Sequence, residues 1–197
     1  MHRIEDQFII LFKWISKESP AVPESGTHVA GACGMVIRPS PADPTKKQVL
    51  LMRERYRHYR WEFPVGAVER GEFFIQTAHK EVKEEVGLET KILGLVGIEN
   101  DTNSRFGRNN VLMCFACKMV NERDEPVMDP EEVVEVAWVD LEELVKGGPD
   151  FILKSYPLSA VVVHFLKAYV ESGFQLVEAK KIGYNYYYPP PPGHPYN

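Results

Sequence analysis

The segment GAVERGEFFIQTAHKEVKEEVGL, from Gly66 to Leu88, limits what this chain can fold into more than any other. Its second half has the apolar spacing of a helix, which we predict over roughly Phe73 to Val86, with Gly87 as the C-cap. Three carboxylates crowd onto five residues of that helix, Glu81, Glu84 and Glu85. Like charges at helical spacing repel one another, so a nearby cation is expected to compensate them.

A helical wheel places these carboxylates at the edge of the apolar face. At about 100° per residue, Phe74, Ala78 and Val82 share one arc, and Glu85 falls between Phe74 and Ala78 in angle. A carboxylate that leans into an apolar arc costs free energy unless it is paired or bound to a metal. A solvated run of charge on a surface helix is the alternative interpretation.

Oxygen-only ligands favour a hard cation, Mg²⁺ or Mn²⁺, rather than zinc. Such ions commonly work together with substrate phosphates. They polarise a phosphoryl oxygen and lower the pKa of a bound water. The expected chemistry is therefore hydrolysis of a phosphoanhydride.

Strand-like and helix-like segments are mixed along the rest of the chain, which predicts an α/β fold with a mixed sheet between helices. We divide the 197 residues into an N-terminal helix and loop over 1–26, one central domain over 27–172, and a C-terminal extension over 173–197 that ends in a Pro/Tyr-rich tail. The N-terminal helix is predicted over residues 4–18. Its apolar run is too short to span a bilayer, so no membrane partner is expected.

Charge and cysteine content restrict the class of protein. A formal net charge of −5 argues against a general nucleic-acid binder, although a local basic pocket for phosphate remains compatible with it. Three cysteines cannot form an even set of disulfides, which suits a reducing cytoplasm. Cys114 and Cys117 lie in a predicted buried strand, where residues three apart face opposite sides.

The spacing of this segment resembles the Nudix box, G-x5-E-x7-R-E-U-x-E-E-x-G-U, where U is aliphatic. Gly66, Glu72 and the run from Lys80 to Leu88 match eight of its nine specified positions, and Lys80 stands where the family has arginine. The preceding WEFPVG is similar to the family's W-x-x-P-G-G, with Val65 in place of the first glycine. The resemblance extends over roughly residues 27–168.

This resemblance implies the Nudix fold, an α/β/α sandwich, and hydrolysis of a nucleoside diphosphate linked to another moiety with Mg²⁺ or Mn²⁺. It makes Glu81, Glu84 and Glu85 metal ligands and catalytic residues, and it assigns the Gly66 carbonyl to the metal. Glu72 organises the loop or binds a further metal through water. Lys80 keeps the charge of the arginine that orients the catalytic glutamate, but it lacks the planar fork.

The general base and the residues that bind the rest of the substrate are less narrowly defined. Candidates for the base are Glu84 and two acids that precede a late strand, Glu131 and Glu132. The segment RERYRHYRW supplies arginines suited to phosphate and tyrosines suited to stacking on a base. We predict substrate-binding roles for Arg53, Arg55, Arg60 and Glu132, and solvated loop residues are the alternative.

The substrate stays open among several classes. WISKESPAVPESGTHVAGACGMVI resembles the opening of a eukaryotic Nudix subgroup that includes plant ADP-ribose/NADH hydrolases, which favours a nucleotide-conjugate small molecule. A hydrolase of capped RNA is a rival, although net acidity counts against it. A non-catalytic nucleotide-binding Nudix protein is another, supported by Lys80 and Val65. A homodimer is a candidate assembly, because the N-terminal segment offers an apolar face.

Overall fold

A mixed β-sheet between helices organises this protein. The computed structural model describes residues 3–5, 8–10, 13–15, 17–18, 26–56, 60–102, 108–147, 150–172 and 177–178. The strands are β1 (Arg3–Glu5), β2 (Phe8–Ile10), β3 (His28–Pro39), β4 (Lys47–Glu54), β5 (Val65–Ala67), β6 (Thr90–Asp101), β7 (Asn109–Met119), β8 (Val133–Asp140), β9 (Ile152–Leu153), β10 (Tyr156–Pro157) and β11 (Val177–Glu178). The helices are α1 (Phe74–Val86), α2 (Leu141–Gly147) and α3 (Ala160–Glu171).

The main sheet has the strand order β11-β6-β7-β3-β4-β8, and β5 also pairs with β3. Strands β3 and β7 run parallel, with Ala32 opposite Met113, while the other pairs in the sheet are antiparallel. Parallel neighbours require a long crossover. Here the chain between them includes β4, β5, α1 and β6.

Alternation along the strands separates two apolar clusters, one on each face of the sheet. On β4, Leu50 and Met52 pack in the cluster that contains α1, whereas Val49 and Leu51 pack in the cluster that contains α2 and α3. Helices thus cover both faces. The predicted α/β/α sandwich with a mixed sheet is confirmed.

Helix α1 starts one residue later than predicted, and Gly87 ends it in the left-handed region at φ 69°. Its apolar face packs closely on β3 at Gly34. A Cβ built on Gly34 would overlap the Val82 side chain. The absent side chain therefore lets α1 and its glutamates lie against the sheet.

The predicted helix over residues 4–18 is wrong at its start. Arg3–Glu5 and Phe8–Ile10 form an antiparallel pair, with Ile4 opposite Ile9. A short apolar run fits both a helix and a strand, so its pattern alone does not distinguish the two. The β-branched isoleucines favour the strand. At the other end, β11 pairs with β6, so the sheet continues past the predicted domain limit at residue 172. The Pro/Tyr-rich tail lies outside the described residues.

The cysteines behave as predicted from their spacing. Cys114 belongs to the cluster on the α2 and α3 side, and Cys117 belongs to the cluster on the α1 side. Both are free buried thiols, and burial raises the pKa of Cys117. Among the described residues, no helix is long and apolar enough to cross a membrane.

The contact between Gly34 and Val82 gives a test of how α1 is docked. Gly34→Ala should lower the free energy of unfolding by about 1–3 kcal/mol, because it overpacks the interface between the sheet and α1. Val82→Ala in the same chain should recover part of that loss, since it vacates the space. Urea unfolding measures both. Gly26→Ala is the control, because a Cβ there meets nothing within 4 Å; equal effects at the two glycines would contradict this account.

Candidate functional site

An acidic cavity of about 330 Å³ opens between α1, β5 and the end of β4. Five of its nine lining residues are glutamates. The lining comprises Glu54, Tyr56, Val65, Gly66, Ala67, Glu69, Glu81, Glu85 and Glu132. The carboxylates predicted from α1 therefore meet acids contributed by β4 and by the loop before β8.

Glu85 is the most deeply buried of these acids, with 3% of its surface exposed. Its Oε2 accepts a hydrogen bond from the backbone N–H of Val65 at 3.0 Å. Burial raises the pKa of Glu85 to about 9, and the charges of Glu81 and Glu54 add to the rise, while the Val65 hydrogen bond opposes it. The wheel placed Glu85 inside the apolar arc, and the structure agrees.

Glu81 lies directly against Gly66. A Cβ built on Gly66 would overlap the Glu81 carboxyl group, so only glycine leaves room for it. Burial raises the pKa of Glu81, and Lys80 opposes that rise. Because the pKa values of Glu81 and Glu85 are both raised, a cation would stabilise the ionised forms of these two acids.

The structure places the Gly66 carbonyl on the β3 side, not in the cavity. Gly66 pairs with Ala32, and its oxygen lies 3.3 Å from the position of a Cβ on Gly31. In an antiparallel ladder, N–H and C=O of one residue point to the same side, and successive residues alternate. The neighbouring Val65 N–H points to Glu85, so the Val65 carbonyl shares the cavity side.

Lys80 joins the glutamates of the turn to those of the helix. Its Nζ lies 3.1 Å from Glu72 Oε1, 3.4 Å from Glu69 Oε1 and 3.8 Å from Glu81 Oε1. Glu72 also accepts hydrogen bonds from Thr77 Oγ1 at 2.9 Å and from the Glu69 N–H at 3.2 Å. The hydrogen bond from Lys80 is the main cause that holds the pKa of Glu72 below its usual range. These contacts tie Glu72 to the turn before α1, and Glu72 is not among the residues that line the cavity.

The three candidate bases differ in position. Glu132 lines the cavity, and its charge contributes to the raised pKa of both Glu81 and Glu85. Glu84 and Glu131 are exposed and are not among the lining residues. Glu84 is nevertheless close enough to raise the pKa of Glu81.

Two of the predicted substrate-binding arginines, Arg53 and Arg55, make contacts within the protein. Arg53 binds Glu135 through two nitrogens, at 2.8 and 3.1 Å, and its guanidinium lies 3.8 Å from the centre of the Tyr156 ring. Arg55 donates to the Pro130 carbonyl and, from its backbone, to the Glu132 carbonyl. Neither lines the cavity, and neither does the exposed Arg60.

Sequence reasoning missed Glu54, and the alternation of β4 could have found it. Leu50 and Met52 face α1, so the next residue of that series, Glu54, comes to the same side as the box glutamates. Arg53 belongs to the opposite series, although the ladder shifts register between Arg53 and Glu54. The aromatic Tyr56 follows at the cavity wall and is 84% exposed.

A second cavity, of about 350 Å³, adjoins the first and shares four residues with it, Glu54, Val65, Gly66 and Ala67. Its far wall includes the apolar side chains of Phe63, Leu112 and Val161. Three polar side chains lie among them, Glu62, Asn110 and Ser159. An apolar pocket with a few polar groups is the usual form of a small-molecule site.

The donor set of the acidic cavity fits a hard divalent cation, because its side-chain donors are carboxylates except for the Tyr56 hydroxyl. Within the described parts of the chain, no three His, Cys, Asp or Glu side chains converge into a ready-made metal cage. What the structure provides is a pair of acids, Glu81 and Glu85, whose ionised forms are disfavoured by burial, and a bound cation would stabilise those ionised forms.

Comparisons with known proteins relate this chain to one family. A family model described as NUDIX domain matches residues 36–158. Nudix hydrolase 8 of Arabidopsis thaliana is 27% identical over 150 residues, 74% of this chain and 38% of that protein. Nucleoside diphosphate-linked moiety X motif 6 of Xenopus laevis is 27% identical over 180 residues, 90% of this chain and 77% of that protein.

Among solved structures, a C. elegans Ap4A hydrolase binary complex matches with a TM-score of 0.57 and 22% identity, covering 74% of this chain and 99% of that one. At this identity the likeness supports the fold alone. The chain spans half or less of the length of four Arabidopsis relatives that it matches.

The buried Glu85 predicts how the metal-free protein responds to pH. Its pKa rises from 4.5 to about 9 on folding, so between about pH 4.5 and 9 the folded state holds a proton that the unfolded state has lost. The free energy of unfolding should therefore fall as pH rises through this window, and Glu85→Gln should flatten the fall. Urea unfolding with a chelator measures it. The exposed Glu84→Gln is the control and should keep the wild-type slope; a flat wild-type profile would contradict the prediction.

Proposed function

Because this chain belongs to the Nudix family, we propose that it hydrolyses a pyrophosphate bond in a nucleoside diphosphate linked to another moiety, of the ADP-ribose or NADH type. The observation that carries this proposal is the cavity lined by five glutamates, with the Glu85 carboxylate buried at its base. A cavity of such charge repels an anionic substrate unless a cation lies between them. The chemistry of the site therefore depends on a bound divalent metal, Mg²⁺ or Mn²⁺.

Glu81 and Glu85 would hold the metal, with Glu54 as a further carboxylate from β4. We prefer the carbonyl of Val65 to that of Gly66 as the backbone ligand, since the ladder alternation directs the Val65 peptide group to the Glu85 side. When bound, the cation polarises a phosphoryl oxygen and acidifies a water. Gly66 contributes by its lack of a side chain, which leaves room for Glu81.

Glu132 is the proton acceptor in this proposal. Glu132 is exposed and lines the cavity, so its carboxylate can accept a proton from the attacking water, while Glu81 and Glu85 would bind the metal. The water oxygen forms a bond to one phosphorus while the bond from that phosphorus to the bridging oxygen breaks. The proton passes to Glu132, and the bridging oxygen leaves on the second phosphate. The products are a nucleoside monophosphate and a phosphorylated partner.

Lys80 keeps the carboxylates in place during this reaction. Its contacts to Glu72 and Glu69 anchor the turn before α1, and its weaker contact to Glu81 pulls that carboxylate toward the turn. The adjoining cavity of about 350 Å³ takes the nucleoside or the linked moiety, because it shares a wall with the acidic cavity and combines apolar and polar side chains elsewhere.

A single assay tests the proposed function. The pure protein is incubated with ADP-ribose, NADH, diadenosine tetraphosphate or capped RNA, with Mg²⁺, with Mn²⁺ or with EDTA, and products are separated by chromatography. Cleavage at the pyrophosphate that needs the metal is expected. Glu85→Gln should lose at least about a hundredfold in kcat, more than a residue that only supports a ligand. Glu122→Gln, in an exposed turn, is the matched control.

Two results would contradict the proposed chemistry. Retained nucleotide binding with no cleavage of any substrate would favour a non-catalytic binding protein, and a fully active Glu85→Gln would remove Glu85 from the metal site. Preference for capped RNA over the small conjugates would confirm the chemistry and reject the proposed substrate class.

Lys80 gives a second test, because it departs from the family's arginine. Lys80→Arg should leave kcat equal or higher, since arginine keeps the charge and adds a planar fork that can bind Glu72 through two nitrogens. Steady-state kinetics on the best substrate of the panel measures the change. Lys83→Arg on the same helix is the control, because Lys83 pairs with Glu89 outside the cavity. A large fall in kcat for Lys80→Arg alone would refute this role.

A further inference from the structure

Arg55 is bound to the loop that carries Glu132. Its Nε donates to the Pro130 carbonyl at 3.2 Å, and Nη2 donates to the same oxygen. Its backbone N–H donates to the Glu132 carbonyl at 2.6 Å. Arg55 thus contacts the loop at two residues, one on each side of Glu131.

The loop itself is a short turn built around Asp129. Its carbonyl accepts from the N–H groups of Glu132 at 3.2 Å and Val133 at 2.8 Å, and its Oδ1 accepts from the Glu131 N–H at 2.8 Å. The Asp129 N–H donates to the Glu85 carbonyl at 3.1 Å, at the end of α1. The turn is therefore tied to α1 at its start and to Arg55 at its end.

This attachment acts on the backbone of Glu132 together with the ladder pairing of Val133 with Glu54. Glu132 is exposed, so few packing contacts restrain it, yet it lines the acidic cavity beside Glu81 and Glu85. The position of the Glu132 side chain in the cavity therefore follows from the backbone of the turn. Arg55 connects that backbone to the end of β4, next to Glu54, which lines the same cavity.

We propose that Arg55 is a positioning residue, which holds the 129–133 turn so that the Glu132 carboxylate faces the acidic cavity. The proposal rests on the proposed function in one respect, the role of Glu132 as proton acceptor. It replaces the substrate-binding role that sequence alone suggested for Arg55. Arginine suits the task because Nε and Nη2 form a rigid fork that can bind one carbonyl oxygen from two directions.

A double-mutant cycle separates the two roles of Arg55. Arg55→Ala should lower kcat by about 10- to 100-fold, as for residues that orient a catalytic group, with KM nearly unchanged. In a Glu132→Gln background the same change should have almost no effect, since Arg55 acts through Glu132. Arg55→Lys should recover only part of kcat, because lysine has no fork. Arg123→Ala, an exposed arginine in another turn, is the control.

Hydrogen exchange tests the attachment without any need for activity. The Glu132 and Val133 amides should exchange faster in metal-free Arg55→Ala than in wild type or Arg123→Ala, because they are the amides that close the turn. This measurement holds even if the wild type cleaves nothing, an outcome that would refute only the proposed function. Unchanged exchange at these amides would overturn the positioning role. A rise in KM, with losses that add to those of Glu132→Gln, would overturn it in favour of substrate binding.

Discussion

The burial of Glu85 is the constraint on which the rest of this site depends. A carboxylate with 3% of its surface exposed and one backbone donor, the Val65 N–H, is far from its preferred environment. It stays there because α1 is held by apolar packing of Ala78, Val82 and Val86 against the sheet. The stability lost at this carboxyl group is thus offset by packing, and a bound cation would stabilise its ionised form.

Two missing side chains set the distances at this interface. Gly34 lets Val82 approach β3, and Gly66 lets the Glu81 carboxylate lie against β5. Each glycine acts through the space it leaves, since neither has the positive φ at which glycine is favoured for conformational reasons. The contacts of α1 with β3 and β5 therefore both dock the helix and position its glutamates.

Arg53 and Arg55, in and just after β4, make contacts within the protein, whereas their composition suggested contacts with a substrate. Arg53 stabilises the opposite face through Glu135 and Tyr156, and Arg55 holds the turn that carries Glu132. The phosphates of a substrate would then be met chiefly through metal ions. An anionic ligand bound through a cation makes affinity depend on the metal.

Part of the fold and of the candidate site could be predicted from the sequence, because the sequence patterns that indicate them are local. The periodicity of α1, its glycine cap, the crowding of Glu81 and Glu85 at the apolar border, and the opposite faces of Cys114 and Cys117 all follow from repeats of 3.6 and 2 residues. The N-terminal apolar run was misassigned because such a run fits both repeats, and pairing with residues 3–5 decided the outcome.

By itself, the sequence determined the helix, its acids and the chemistry that they favour, since residue type and spacing within one element are enough for that. Only the tertiary structure decided which distant groups join them. Glu54 and Glu132 reach the cavity because the β4–β8 ladder and the turn before β8 converge beside α1, and the Gly66 carbonyl faces β3 because of its pairing register. These placements depend on contacts between residues far apart in the chain, which a local pattern does not encode.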